Sequence, residues 1–127
     1  MSNLMAVLLN GIAQIEYQRE KALPDYQEAY LDKMDRQMTE QGIELGQTLV
    51  TEPDFDQKAQ FVTANLVHAI KANDEARAAA MTTWLAVRMP NLKQVKIRDQ
   101  DDEVEIDLDF EQDYVKQIPV SITPWNQ

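Results

Sequence analysis

Up to Pro90 the apolar positions recur with the spacing of helices, and beyond it they alternate as in strands. Leu4, Leu8, Ile12 and Ile15, widened by Met5 and Leu9, predict a first helix over residues 3 to about 22. Leu23-Pro24 closes it, because the residue before a proline is pushed out of the α region. Pro24 then suits the first turn of a second helix, with Asp25 and Glu28 near its positive end. Tyr26, Tyr30, Met34, Met38, Leu45 and Leu49 share one broad face if that helix continues to about residue 50. Gly42 and Gly46 each cost ~1 kcal/mol against Ala inside a helix, so a break near Gly42 is the alternative to continuity. Asp54 with Gln57 forms a capping pair for a third helix through Phe55, Ala59, Val62, Leu66 and Ile70. Asn73-Asp74 stops it and starts a fourth, with Ala78, Met81, Trp84 and Leu85 as core candidates. Met89-Pro90-Asn91 ends the helical part.

The period then falls to two. Val95 and Ile97 alternate with polar neighbours, and Val104, Ile106, Leu108 and Phe110 alternate strictly with Glu103, Glu105, Asp107, Asp109 and Glu111. That pattern predicts a strand with one buried and one wet face. A turn over Asp99–Asp102 sets Arg98 opposite Glu103, Lys96 opposite Glu105, Ile97 opposite Val104 and Val95 opposite Ile106. A third strand over Tyr114–Ile122 is expected at an edge, since Pro119 cannot donate a ladder bond. The acidic strand is therefore expected in the centre. The fold class expected is α+β: an N-terminal bundle of about four helices followed by a C-terminal three-stranded antiparallel meander packed on the helices. All of it is read as a single domain over residues 1–127, with the helical part at 3–90, the sheet at 92–122 and a short tail at 123–127.

Charge sharpens this picture. Among 127 residues there are 22 acids and 12 bases, a net charge of −10, but nine of those acids lie between Asp99 and Asp113 with no base among them. The remaining residues hold 13 acids against 12 bases, so the acidity belongs to one segment. An excess of negative charge disfavours nucleic acid and anionic membranes as partners. The apolar run Leu4–Ile15 falls short of the ~20 residues of a spanning helix, and no Lys or Arg precedes it as in a signal peptide. The expected compartment is the cytoplasm.

Candidate chemistry is sparse. With no Cys, thiolate metal sites, disulfides and cysteine nucleophiles are excluded. Three glycines build neither common phosphate loop. His68 is the one imidazole, Ser2 and Ser121 the only serines, and no G-x-S-x-G joins them, so no catalytic residue is assigned. Asp99, Asp101 and Glu103 resemble the opening of a calcium loop, but Val104 stands where an EF-hand needs its glycine; no metal or cofactor is assigned. Met34, Met38, Met81 and Met89 read as core, Gly42-x-x-x-Gly46 as a close helix contact, and Trp125 as a terminal anchor on its own domain or on a partner.

The expectation is a small acidic accessory or adaptor protein, not an enzyme. It binds a protein with a basic surface through an acidic sheet face formed by Glu103, Glu105, Asp107, Asp109 and Glu111. Two alternatives stand beside it: a small enzyme or ligand- or metal-binding domain using clustered carboxylates, and a DNA mimic.

Overall fold

A computed structural model describes residues 4–117. It corrects the expected architecture: the chain is α+β, but with three helices and six strands in two sheets. The predicted first helix is a hairpin. β1 (Leu4–Leu9) and β2 (Ile12–Gln18) pair antiparallel around Asn10-Gly11, both at positive φ (50° and 84°). Asn-Gly is the favoured pair for such a turn, because left-handed backbone costs Asn and Gly least. β1 also pairs in parallel with β5 (Gln94–Gln100), which places it in the sheet interior. Met5, Ala6, Val7 and Leu8 are all buried, on both faces of the strand. A strand covered on two sides has no polar face, so its apolar residues run on without a period of two. That run mimics a buried helix.

The second predicted helix also stops early. α1 (Asp25–Gln41) ends at Gly42, whose φ of 74° and ψ of 176° lie in a region almost reserved for glycine. A Cβ there would stand 2.7 Å from the Val50 carbonyl oxygen. Beyond it, β3 (Ile43–Leu45) and β4 (Thr48–Val50) form a small hairpin turning at Gly46, so the two glycines serve turns and not a helix–helix contact. Tyr26 and Tyr30 are exposed, while Leu31, Met34 and Met38 face the core.

α2 (Phe55–Lys71) starts at the expected capping box, Asp54 and Gln57 exchanging both bonds. α3 (Glu75–Arg88) is capped by Asp74, whose side chain accepts from the Arg77 amide. Trp84 of α3 is fully buried, and its indole N–H donates to Asp35 of α1 at 2.7 Å. Arg88 holds the other Asp35 oxygen at 2.9 Å and Asp32 at 3.0 Å. Arg19, just after β2, donates to the Ala86, Met89 and Leu92 carbonyls, tying the hairpin to the end of α3. The core lies between this helical layer and one face of the sheet, with Val7, Val95 and Ile97 meeting Val62, Leu66 and Leu85.

β6 (Glu103–Asp109) completes the larger sheet in the order β2-β1-β5-β6. The acidic strand is therefore at an edge, not in the centre. The β5–β6 register also differs from the one expected: Arg98 faces Glu105, Lys96 faces Asp107, Ile97 faces Ile106 and Val95 faces Leu108. Asp101 and Asp102 alone make the turn, at φ 51° and 65°, so the pairing slides by two residues. A slip of two preserves the faces, because side chains alternate with the same period. No third meander strand forms over residues 114–117, and the remainder of Tyr114–Ile122, with Pro119, lies outside the described residues, as does Trp125. Residues 112–117 instead run over the sheet face opposite the helices. There Tyr114 packs on Ala6 and Leu8 and donates to Glu16 at 2.6 Å, and Gln117 bonds to both Gly11 and Ala13.

Candidate functional site

β6 owes its two faces to its alternation and its position to the turn before it. Asn10 fastens that end of the sheet: its amide group donates to the Asp99 carbonyl at 3.2 Å and accepts from the Asp99 N–H at 2.9 Å. The outer face of β6, away from the helices, carries Glu103, Glu105, Asp107 and Asp109 in one row, as expected for a period of two. Glu111 falls beyond the strand end, in a bend, and does not continue the row.

The row is only partly neutralised. Arg98 reaches Glu105 at 3.6 Å, and Lys96 reaches diagonally to Asp109 at 2.9 Å instead of to Asp107 opposite it. Among the described residues, Glu103, Asp107 and Glu111 enter no ion pair, nor do the turn residues Asp101 and Asp102. Asp99 and Asp113, by contrast, are held by Lys71 and Lys93. Asp109 has a second task. Its carboxylate accepts from the backbone N–H groups of Glu111 and Gln112, shaping the turn that leaves β6. The Gln112 N–H, the Lys96 ammonium and the Glu111 N–H together hold its pKa down at about 2. Asp109 is a structural carboxylate, fixed from both sides.

The other face of β6 is the feature that sequence reasoning missed. Val104 and Ile106, expected in the core, are 42% and 39% exposed, and Phe110 is 43% exposed. The helices cover β1 and β5 but stop short of the sheet edge. Between β6 and the start of α2 lies an open groove of about 430 Å³. Ile106, Leu108 and Phe110 form one wall, Ala59, Thr63 and Met89 the floor and far side, and Asp56 and Gln60 the rim. No pattern along β6 signals this, because exposure there depends on how far a distant helix reaches. On the outer face, Lys96, Arg98, Glu105 and Asp107 line a shallow depression of about 820 Å³ with charges of both signs.

His68 is an exposed residue of α2, and Ser2 and Ser121 lie outside the described residues. Among the described residues no group of three His, Asp or Glu side chains is placed to hold a metal ion, and no helix is long and apolar enough to cross a membrane. No family model, no curated protein and no solved structure matches this chain.

Proposed function

We propose that this chain is a non-enzymatic accessory or adaptor protein of the cytoplasm that binds a basic protein surface through the β6 edge. The observation that carries the reading is the open edge strand itself. Among the described residues it presents Glu103 and Asp107 outside any ion pair on one face and exposed Val104 and Ile106 on the other. Isolated exposed apolar residues are ordinary on a surface, but a contiguous apolar strip rimmed by charge is the usual make-up of a protein contact. The acidic row would steer a basic partner toward that strip, and the strip would then hold it.

The test compares wild type with Glu103→Gln/Asp107→Asn as immobilised baits in lysate at low and high salt. Both substitutions are isosteric and on the outer face, so the core is untouched. A protein retained by wild type, released by salt and lost from the variant is the expected result. If the variant retains the same proteins as wild type, the acidic row is merely solvated surface and the reading falls.

A further inference from the structure

An unpaired sheet edge is a template for another strand, and natural proteins usually blunt it with charged side chains, Pro, a bulge or an inward-pointing charge. β6 carries only the first of these, as acids on its outer face: its register with β5 runs without a shift, and its inward residues are Val104, Ile106 and Leu108. We propose, resting on the function given above, that the edge is occupied by an extended segment of a partner protein in which basic and apolar residues alternate. That segment adds to β6 as a fifth strand of the sheet.

Both faces of β6 point to the same ligand pattern. A strand added at the usual ~4.8 Å spacing sets its side chains directly beside those of β6, with Cβ atoms ~4.5–5.5 Å apart. On the outer face its neighbours would be Glu103, Glu105 and Asp107, which select Lys or Arg. On the inner face they would be Val104, Ile106 and Leu108, above the groove floored by Ala59 and Thr63, which select apolar side chains. The period of two on the protein is copied as a period of two on the ligand. Backbone geometry agrees. In a two-residue hairpin the bonded pairs fall at the turn-closing residues and at every second residue beyond, here Gln100–Glu103, Arg98–Glu105 and Lys96–Asp107. The peptide groups of Val104, Ile106 and Leu108 are thereby left facing the open edge.

The same charges argue against a second copy of this chain as the occupant. Two β6 strands laid side by side would set one acidic row against another, and like charges directly opposite are destabilising. The edge thus rejects itself while admitting a basic strand.

The probe is a capped seven-residue peptide, Lys-Val-Lys-Val-Lys-Val-Lys, matching the length of β6. It is compared with a peptide of identical composition in blocks, Lys-Lys-Val-Val-Val-Lys-Lys, and with the alternating peptide N-methylated along its ladder edge. Affinity is read by fluorescence anisotropy, and amide exchange of the intact protein is read by NMR. The alternating peptide should bind at least tenfold tighter than the other two and slow exchange at Val104, Ile106 and Leu108. Ile106→Lys, checked for native circular dichroism, should weaken it at least tenfold. N-methylation needs no variant, so the test stands even if Ile106→Lys does not fold. Equal binding of all three peptides without exchange protection, lost in Glu103→Gln/Asp107→Asn, would overturn strand addition while leaving acidic-face binding intact. Absence of binding by any of them would also overturn it, and lysate capture would then judge the broader function separately. A dimer dependent on Ile106 in sedimentation, with no peptide present, would identify a second copy as the occupant and overturn the proposal as well.

Discussion

The β1–β2 hairpin turns through Asn10-Gly11 and the β5–β6 hairpin through Asp101-Asp102, each with both central residues at positive φ. Their surroundings are opposite. β1 lies between two strands, with helices on one face and Tyr114 on the other, so four consecutive residues are buried. Among the described residues β6 has a neighbour on one side only, and residues 103–107 are exposed on both faces. The comparison separates two uses of the same motif. One hairpin supplies the centre of the fold, and the other carries its alternation out to a margin where little of the fold depends on it.

The largest expected contrast comes from placing a charge on each hairpin. Val7→Asp buries an unpaired carboxylate at a fully buried site, and a loss above ~4 kcal/mol should leave the chain unfolded at room temperature. Val104→Lys sits at the exposed edge, where the change should stay within ~1 kcal/mol. Urea midpoints of the two variants against wild type measure both, and equal losses would dissolve the distinction between centre and margin.

The difference between the hairpins also accounts for how each reads in the sequence. Strict alternation of Val104 to Phe110 with acids marks a strand whatever its neighbours, and the outer row Glu103, Glu105, Asp107 and Asp109 follows directly. Leu4–Leu9 has no polar residue to set a period, so an unbroken apolar run fits a buried helix or a doubly covered strand equally well. Asn10-Gly11 is the residue pair that discriminates between the two, although helical spacing of apolar residues continues across it. α2 and α3 were legible because Asp54, Gln57 and Asp74 mark their starts chemically. The central place of β1 and the edge place of β6 both follow from the parallel β1–β5 pairing, a contact between distant segments that no local pattern encodes. The groove beside Ile106 is hidden for the same reason.

A smaller contrast is offered by one arginine on each hairpin. Arg19 serves three carbonyls at the end of α3 and its surroundings, and hydrogen bonds from a charged donor contribute ~1.5–3 kcal/mol, so Arg19→Met should cost about 2–3 kcal/mol. Arg98 makes an exposed pair with Glu105, and Arg98→Met should cost no more than ~0.5 kcal/mol. Thermal unfolding with both variants side by side checks the ratio.

The turns themselves differ less. Asp102 holds φ at 65° without being glycine, and Asp-Gly is a preferred pair for such a turn, so Asp102→Gly should stabilise by up to ~1 kcal/mol. Gly11→Ala imposes the reverse penalty of about 1 kcal/mol on the other turn, with open space around the new Cβ and only the backbone to strain. Chemical denaturation resolves both signs.

The smallest effect is one of pH, and it is confined to the β6 hairpin. Asp109 has its pKa lowered from 3.8 to about 2 by its turn hydrogen bonds and Lys96. Because the folded value is the lower one, its contribution is complete above about pH 4. It is lost as the pH falls through about 2. Asp109→Asn should therefore lower stability at neutral pH, and the gap to wild type should close on acidification between about pH 4 and pH 2. A gap that persists unchanged down to pH 2 would remove the carboxylate's charge from the account.

The parallel pairing of β1 with β5 has a consequence for biosynthesis. Ala6 is matched with Gln94, 88 residues later in the chain. At ~5–20 residues per second of translation, the interval between making one strand and making the other is roughly 4–18 s. Throughout it, Met5 to Leu8 can pair with β2 alone, and they lack the β5 strand and the Tyr114 cover that are made after the helices. A newborn chain is thus most vulnerable to aggregation at its first strand, the part that becomes best protected once the protein is finished. Slower elongation through residues 10–90 should lower soluble yield, and faster elongation should raise it.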